Sequence, residues 1–311
     1  MLALLVIAAC AVGVAAPTAS PPQRAIAPGV IVAGVKIGKL TSEPARDKLR
    51  EATSRALRFQ LDDRRWAIPA DRFGAAAAVN DAIARALEAR RGSELDLAVD
   101  VDRRSIRSYS RKLAKQFGED AVNASLVGVD GVRPVITTEE TGRAVRRLAL
   151  ERMIFNVLRA NVRDRIRVPM RTVEPTVTKS GFGSVIVISR GGNGLYLYSA
   201  DSLVRSFRVA TGTAEFPTPS GRWTIVDMQR NPWWRPPPSD WAKGLKPVPP
   251  GPGNPLGTRW MGLDASAVGI HGTPDAASLG YSRSHGCIRM AIPEAEWLFE
   301  QVGIGTPVLI V

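Results

Sequence analysis

Histidine and cysteine are scarce in this 311-residue chain, two of each, and aromatic residues make up only 6%. Two cysteines exclude a disulfide-stapled scaffold. Two histidines exclude a histidine-rich metal centre. A zinc site needs three or four ligands, and beyond His271, His285 and Cys287 only Asp264 or Asp275 would be at hand to complete one. No metal and no cofactor are therefore expected. Long apolar runs are also missing. The longest, Leu2–Ala16, falls short of the roughly 20 residues that span a bilayer.

Positive charge is what the chain has in excess, with 42 Lys and Arg against 29 Asp and Glu, a net +13. The excess is uneven: residues 1–178 hold 30 basic and 20 acidic side chains, residues 179–311 hold 12 and 9. A basic surface suits nucleic acid, acidic lipid or an acidic wall polymer. Arg103, Arg107 and Arg111 at helical spacing read equally well as a solvated face. The N-terminus decides among the partners. Its apolar core, followed by small residues and a Pro/Ser/Thr stretch to Pro28, reads as an export leader over residues 1–28. Ile7-Ala8-Ala9-Cys10 resembles a lipobox whose cysteine is acylated, and cleavage after Ala16 is the competing reading. No basic residue precedes the apolar core, so translation is expected to start upstream of Met1. Export to the cell envelope removes nucleic acid as a partner, favours an anionic cell-wall polymer, and leaves a lipid anchor at Cys10 as the one route to a membrane. It also leaves Cys287 without an intrachain disulfide partner.

Two folded parts are expected. Residues 29–178 read as a small α+β module without histidine or cysteine. A Thr41-Ser42-Glu43-Pro44 start signal opens a helix with Ala45, Leu49, Ala52 and Ala56 at helical spacing. Asn80 is expected to cap a second helix with Ile83, Ala84 and Leu87 on one face. Ser105–Phe117 forms a third, and Thr138 opens a fourth through about Ala160. The order strand, Thr-capped helix, strand recurs around residues 30–61 and 132–170, which hints at an internal duplication. Residues 179–311 change to short strands separated by turn residues, a mainly antiparallel β domain. Within them Asn231–Pro255 holds nine prolines with Trp233, Trp234 and Trp241. Such a loop is either a functional lid or a segment whose rings pack on a neighbouring strand.

Both histidines and Cys287 fall within the stretch 271–287. A soft nucleophile beside a base that titrates near neutral pH is the equipment of nucleophilic acyl transfer. Gly286 removes a side chain next to the thiol, and the backbone N–H groups there could face a developing oxyanion. A histidine in reach could withdraw the thiol proton to give a thiolate and imidazolium pair. His285, two residues away, and His271, reachable if the chain folds back, are both candidates on local sequence alone.

His271, a gap of about a dozen residues, and then Ser284-His285-Gly286-Cys287-Ile288-Arg289 resemble the L,D-transpeptidase (YkuD-like) catalytic domain. Thr218-Pro219-Ser220-Gly221-Arg222-Trp223 and Val268-Gly269-Ile270-His271-Gly272-Thr273 extend the resemblance over about residues 180–311. It implies an L,D-transpeptidase-like β-sandwich in which Cys287 is the nucleophile and His271 the proton acceptor and donor. The Gly272 carbonyl would orient His271, and the Gly286 backbone would lie on the oxyanion side. His285, Arg289, Ser284 and Trp260 are the implied substrate-binding residues; for Arg289, pairing with a nearby acid is the competing reading. The implied reaction acylates Cys287 with a tetrapeptide stem, expels D-alanine, and transfers the acyl group to the amine of a second stem as a 3→3 crosslink. Carbapenems are expected to acylate the same thiol, and the proline-rich segment falls where relatives carry a lid.

More loosely, the Val30–Leu61 segment is similar to the peptidoglycan-binding modules that accompany wall enzymes and to VanW-like proteins, a resemblance that extends over about residues 30–178. Stem-peptide carboxypeptidase or exchange activity, a non-catalytic wall-binding protein and a sortase-like ligase remain as alternatives. The last lacks its Thr-Leu-x-Thr-Cys setting here.

Overall fold

A computed structural model of the chain describes residues 24–311; Cys10 and the expected leader up to residue 23 lie outside them. Two compact units emerge, and the cut is not a single one near residue 178. Of the described residues, those up to Gly118 join Ala144–Arg171 in the first unit, and Glu119–Arg143 joins Thr172–Val311 in the second.

In the first unit, α1 (Ser42–Ser54) buries Ala45, Leu49 and Ala52 as the start signal and spacing predict, while Ala56 falls beyond its last turn and is only partly buried. Together with α2 (Val79–Glu88) it covers Ile26, Val30, Val32 and Ile37. α2 begins one residue earlier than Asn80, and Val79, Ala82, Ile83 and Ala86 form its inner face, in place of Ala84 and Leu87. A second core gathers Leu57, Phe59, Phe73, Leu113, Leu150, Ile154 and Leu158. It lies between a hairpin (Leu57–Leu61 with Arg64–Ile68) and two helices, α3 (Arg103–Phe117) and α4 (Arg147–Arg159). The fourth helix starts nine residues later than Thr138 because Gly142–Val145 is a strand. Gly142 lies flush against the backbone of Glu119–Ala121, where any Cβ would collide.

Arg163 closes this unit. Its guanidinium donates to the carbonyls of Thr53 (2.9 Å), Arg55 (3.2 Å) and Val157 (3.1 Å), so it satisfies acceptors left over in the last turns of both α1 and α4. Arg163→Met is expected to cost about 2–3 kcal/mol in urea unfolding by orphaning those carbonyls. An unchanged midpoint would mean that water replaces the guanidinium without loss.

The second unit is built on eight strands: β1 (Ser184–Ser189), β2 (Gly194–Ser199), β3 (Ser202–Arg208), β4 (Gly221–Arg230), β5 (Arg259–Leu263), β6 (Gly269–Thr273), β7 (Ile288–Ala291) and β8 (Pro307–Ile310). Their order is β3-β2-β1-β8-β4-β5-β6-β7, antiparallel throughout except for the β1–β8 and β6–β7 pairs. β4 belongs to both halves: Gly221–Thr224 pair with β8, and beyond a register shift at Ile225–Asp227 the strand pairs with β5. A strand that passes between layers this way turns one sheet into two facing ones. Ile186, Ile188, Leu195 and Leu197 from one half meet Met261, Ile270, Ile288 and Met290 from the other, with Leu298 and Phe299 of α5 (Ile292–Gln301) closing the core. The observed class is the expected one, an α+β module followed by a mainly antiparallel β domain.

The unit boundary follows from β1. Its residues Val185–Ile188 are all fully buried, so both faces need cover. Ile186 and Ile188 face the main core; Val185 and Val187 face Ala124, Leu126 and Ile136 from the 119–143 excursion. Asn123 fastens that excursion by accepting from the amides of Thr176 (2.8 Å) and Val177 (3.0 Å).

Candidate active site

His271 is the central residue of β6, and β6 lies beside β7 in parallel register, His271 opposite Arg289 and Ile270 opposite Ile288. Alternation along the strands sends Ile270, Ile288 and Met290 into the core and leaves His271 and Arg289 on the other face. Cys287 immediately precedes β7 and shares the parity of Arg289. All three residues line one open cleft of about 1540 Å³.

The imidazole of His271 is 4% exposed, and its Nδ1 donates to the Gly272 carbonyl at 2.7 Å. That bond sets the tautomer and leaves the Nε2 lone pair unprotonated. Burial, reinforced by the Arg289 charge and opposed by the Gly272 bond, pushes the imidazole down from its ordinary 6.5 to about 4. The Trp260 ring lies alongside it, with centroids 5.9 Å apart, and the Trp260 Nε1–H donates to Asp227 at 3.1 Å. Space for that indole comes from Gly269, where a Cβ would fall 2.4 Å from the ring.

The thiol of Cys287 is half-buried, and its Sγ donates to the Ala267 carbonyl at 3.5 Å. Burial raises its pKa against the opposing pull of a Gly269 backbone bond and Arg289. The thiolate and imidazolium pair expected from sequence is therefore not the resting state. Both groups rest neutral.

The turn before Cys287 is fixed by short polar contacts. Ser284, 1% exposed, donates from its Oγ to the Cys287 carbonyl and accepts the Gly286 N–H at 3.1 Å. Thr218 Oγ1 donates to the Gly286 carbonyl at 2.9 Å and accepts the Gly212 N–H at 2.8 Å. Gly286 itself sits at φ +111, which only glycine adopts readily. Its amide is already used, so an oxyanion role for Gly286 does not fit. The His285 and Cys287 amides have no acceptor among the described residues.

His285 is exposed and held by rings. It stacks on Trp241 (centroids 4.0 Å apart, planes 14° apart) and leans on Phe216 at 5.0 Å. Trp241 belongs to the proline-rich segment, which is a closed loop. Trp234 and Val248 exchange backbone bonds of 3.0 and 2.9 Å, and the buried Asn254 donates to the carbonyls of Pro232 and Pro249. Arg289 lies 3.7 Å from Asp275, the pairing that competes with a substrate role. Asp227, Ala267 and the bond made by Thr218 carry no sequence signal of their own, because their roles come from register and turn geometry.

Residues 183–310 match a family described as "L,D-transpeptidase catalytic domain", and residues 66–167 match a "Putative peptidoglycan binding domain". "Putative L,D-transpeptidase YqjB" of Bacillus subtilis is 34% identical over 131 residues, 40% of this chain and 69% of that protein. "Probable L,D-transpeptidase ErfK/SrfK" of Escherichia coli is 33% identical over 161 residues, 48% of this chain and 49% of its own length. A solved L,D-transpeptidase from Mycobacterium tuberculosis aligns at 18% identity over 65% of this chain and 84% of its own, with a TM-score of 0.35. The chain belongs to the L,D-transpeptidase (YkuD) family. It spans about two thirds of YqjB and half of ErfK/SrfK.

Two outcomes follow from this geometry. The unfolded chain binds a proton at His271 below about 6.5 and the folded chain only near 4. Stability from this group is therefore whole above pH 6.5 and is lost as pH falls towards 4, by about 1.4 kcal/mol for each pH unit crossed. Denaturant melts of the wild type and His271→Gln between pH 7 and 4.5 should diverge with that sign; parallel curves would contradict it. Gly269→Ala should push the Trp260 indole off Asp227, lower stability by about 1–3 kcal/mol and shift tryptophan fluorescence. Wild-type fluorescence and midpoint would show that the ring is not wedged there.

Proposed function

We propose that the second unit is a cysteine acyltransferase that forms 3→3 crosslinks between peptidoglycan stem peptides. The observation that carries this reading is the convergence of Cys287 and a neutral, Gly272-held His271 in one cleft. As a donor tetrapeptide binds, the Cys287 thiol proton passes to His271 Nε2 while sulfur attacks the carbonyl carbon of the third residue. The oxyanion falls to the amides of His285 and Cys287. Collapse breaks the C–N bond, His271 returns its proton to the leaving D-alanine amine, and a thioester remains on Cys287. The acceptor's side-chain amine then attacks, gives its extra proton to His271, and the thiol is restored. Resting neutrality is compatible with this chemistry because the proton moves only as the new bond forms.

The remaining groups bind and shield. The Arg289 guanidinium is suited to hold a donor carboxylate in competition with Asp275. The loop bearing Trp234 and Trp241 excludes water, which matters because hydrolysis competes with aminolysis of a thioester. Residues 66–167 are assigned to glycan-strand contact, and the chain to the cell envelope, with Cys10 as its anchor if acylated.

The test incubates purified protein with disaccharide-tetrapeptide and reads products by mass spectrometry. A crosslinked dimer lacking one D-alanine is expected. Free tripeptide alone would make the protein a carboxypeptidase, and no product at all would leave a wall-binding protein. Cys287→Ala should abolish product, and His271→Ala should lower the rate at least 100-fold, more than His285→Ala. A worse His285→Ala variant overturns the base assignment. A carbapenem should add its mass to Cys287.

A further inference from the structure

Counted by structural unit, the charge of the chain separates almost completely. The first unit carries 28 Lys and Arg against 14 Asp and Glu, and the second 14 against 15. The acidic 119–143 excursion sharpens the contrast by joining the second unit. The whole positive excess thus sits on one folded body, and within it the helices treat their cations differently.

On α1 and its C-cap the arginines are answered by acids one turn away: Arg46 pairs with Glu43, Arg50 with Asp47 and Arg55 with Glu51. α3 has no acid within it. Arg103, Arg104, Arg107, Arg111, Lys112 and Lys115 are all exposed, and none makes an ion pair among the described residues. Asp102 and Glu151 touch the helix through hydrogen bonds, and the Arg104 charge also helps to hold Asp102 ionised. Asp102 caps the helix by accepting the Arg104 and Ser105 amides, and Glu151 of α4 accepts from the buried Ser110 hydroxyl at 3.1 Å. Two guanidiniums also share one ring: Arg103 lies 4.1 Å and Arg159 5.6 Å from the centre of Phe155, with no carboxylate bridging them. Like charges held together on an exposed surface cost stability unless an anion joins them.

We propose that the exposed face of α3, with Arg159 at its start, is a docking surface for a linear polyanion that carries repeated phosphate groups, as a wall polyphosphodiester does. The geometry favours a chain over a membrane. Arg104, Arg107, Arg111 and Lys115 follow one another at three- and four-residue intervals, a single row about 16 Å long by helix rise. Every exposed side chain of α3 is polar, and its apolar side (Ile106, Leu113, Phe117) is spent in the core, so nothing on this helix is left to enter a bilayer. Phosphate is the natural match for a row dominated by arginine. Such a surface would hold the protein along an anionic strand through a unit separate from the cysteine cleft, and it does not depend on the transpeptidase reading.

The test measures binding of the full chain to long-chain inorganic polyphosphate by fluorescence titration across a salt series. Arg104→Gln, Arg107→Gln, Arg111→Gln and Lys115→Gln combined should weaken binding at least tenfold and flatten the plot of log affinity against log salt by about three to four units. Removing four cations of α1 and its C-cap (Arg46, Lys48, Arg50 and Arg55, each to Gln) deletes the same charge and should change affinity less than threefold. Equal losses in the two variants would show that net charge alone binds, and no loss in the α3 variant would place the surface elsewhere; either overturns the proposal. Binding to phosphatidylglycerol vesicles as tight as to polyphosphate, and equally lost in the α3 variant, would overturn the choice of a linear polymer. Circular dichroism melts of both variants establish that the comparison is between folded proteins.

Discussion

Two strands that lie side by side and run the same way cannot be joined by a tight turn; they need a crossover of a dozen residues or more. β6 and β7 are such a pair, and the interval between His271 and Cys287 is the length of that crossover. The rest of the site depends on it. Parallel register puts His271 opposite Arg289 and makes Cys287 the first residue past the turn. The same crossover supplies Ser284 to pin the turn and Asp275 to meet Arg289. A motif that reads in sequence as two rare residues at a fixed spacing is, in the fold, a consequence of strand direction.

Burial then sets the chemical state. A thiol and an imidazole in open water would tend towards partial ionisation near neutral pH, but here desolvation raises one pKa and lowers the other. Keeping both neutral lowers the reactivity of the thiol at rest, and it makes the orientation of His271 decisive. That orientation rests on the Gly272 carbonyl on one side and the Trp260 indole on the other, the latter admitted by the absence of a side chain at Gly269.

The catalytic half was legible in sequence wherever alternation or a rare residue marked it. β1, β2 and α5 carry strong local signals, the apolar runs Val185–Ile188 and Leu195–Tyr198 and the helix-start residue Pro293. The non-local parts were hidden. Nothing near Leu126 or Ile136 announces that they cover Val185 and Val187, because that contact joins residues about fifty apart in sequence. The helix expected from Thr138 gave way to a strand for a similar reason: Gly142 fits against Glu119–Ala121, a tertiary constraint that outweighs local propensity. Stacking of His285 on Trp241 was equally invisible, and it turns two options for the proline-rich segment into one structure that both packs and lines the cleft.

The account turns on a neutral His271 whose Nδ1 carries the proton and whose Nε2 is free. With only two histidines in the chain, a nitrogen-15 histidine spectrum at pH 7 contains two imidazoles, and His271→Gln assigns them. The account predicts that the His271 signals show a protonated Nδ1 and an unprotonated, pyridine-like Nε2, unchanged on acidification to pH 5.5. An imidazolium at pH 7, or the opposite tautomer, would contradict it.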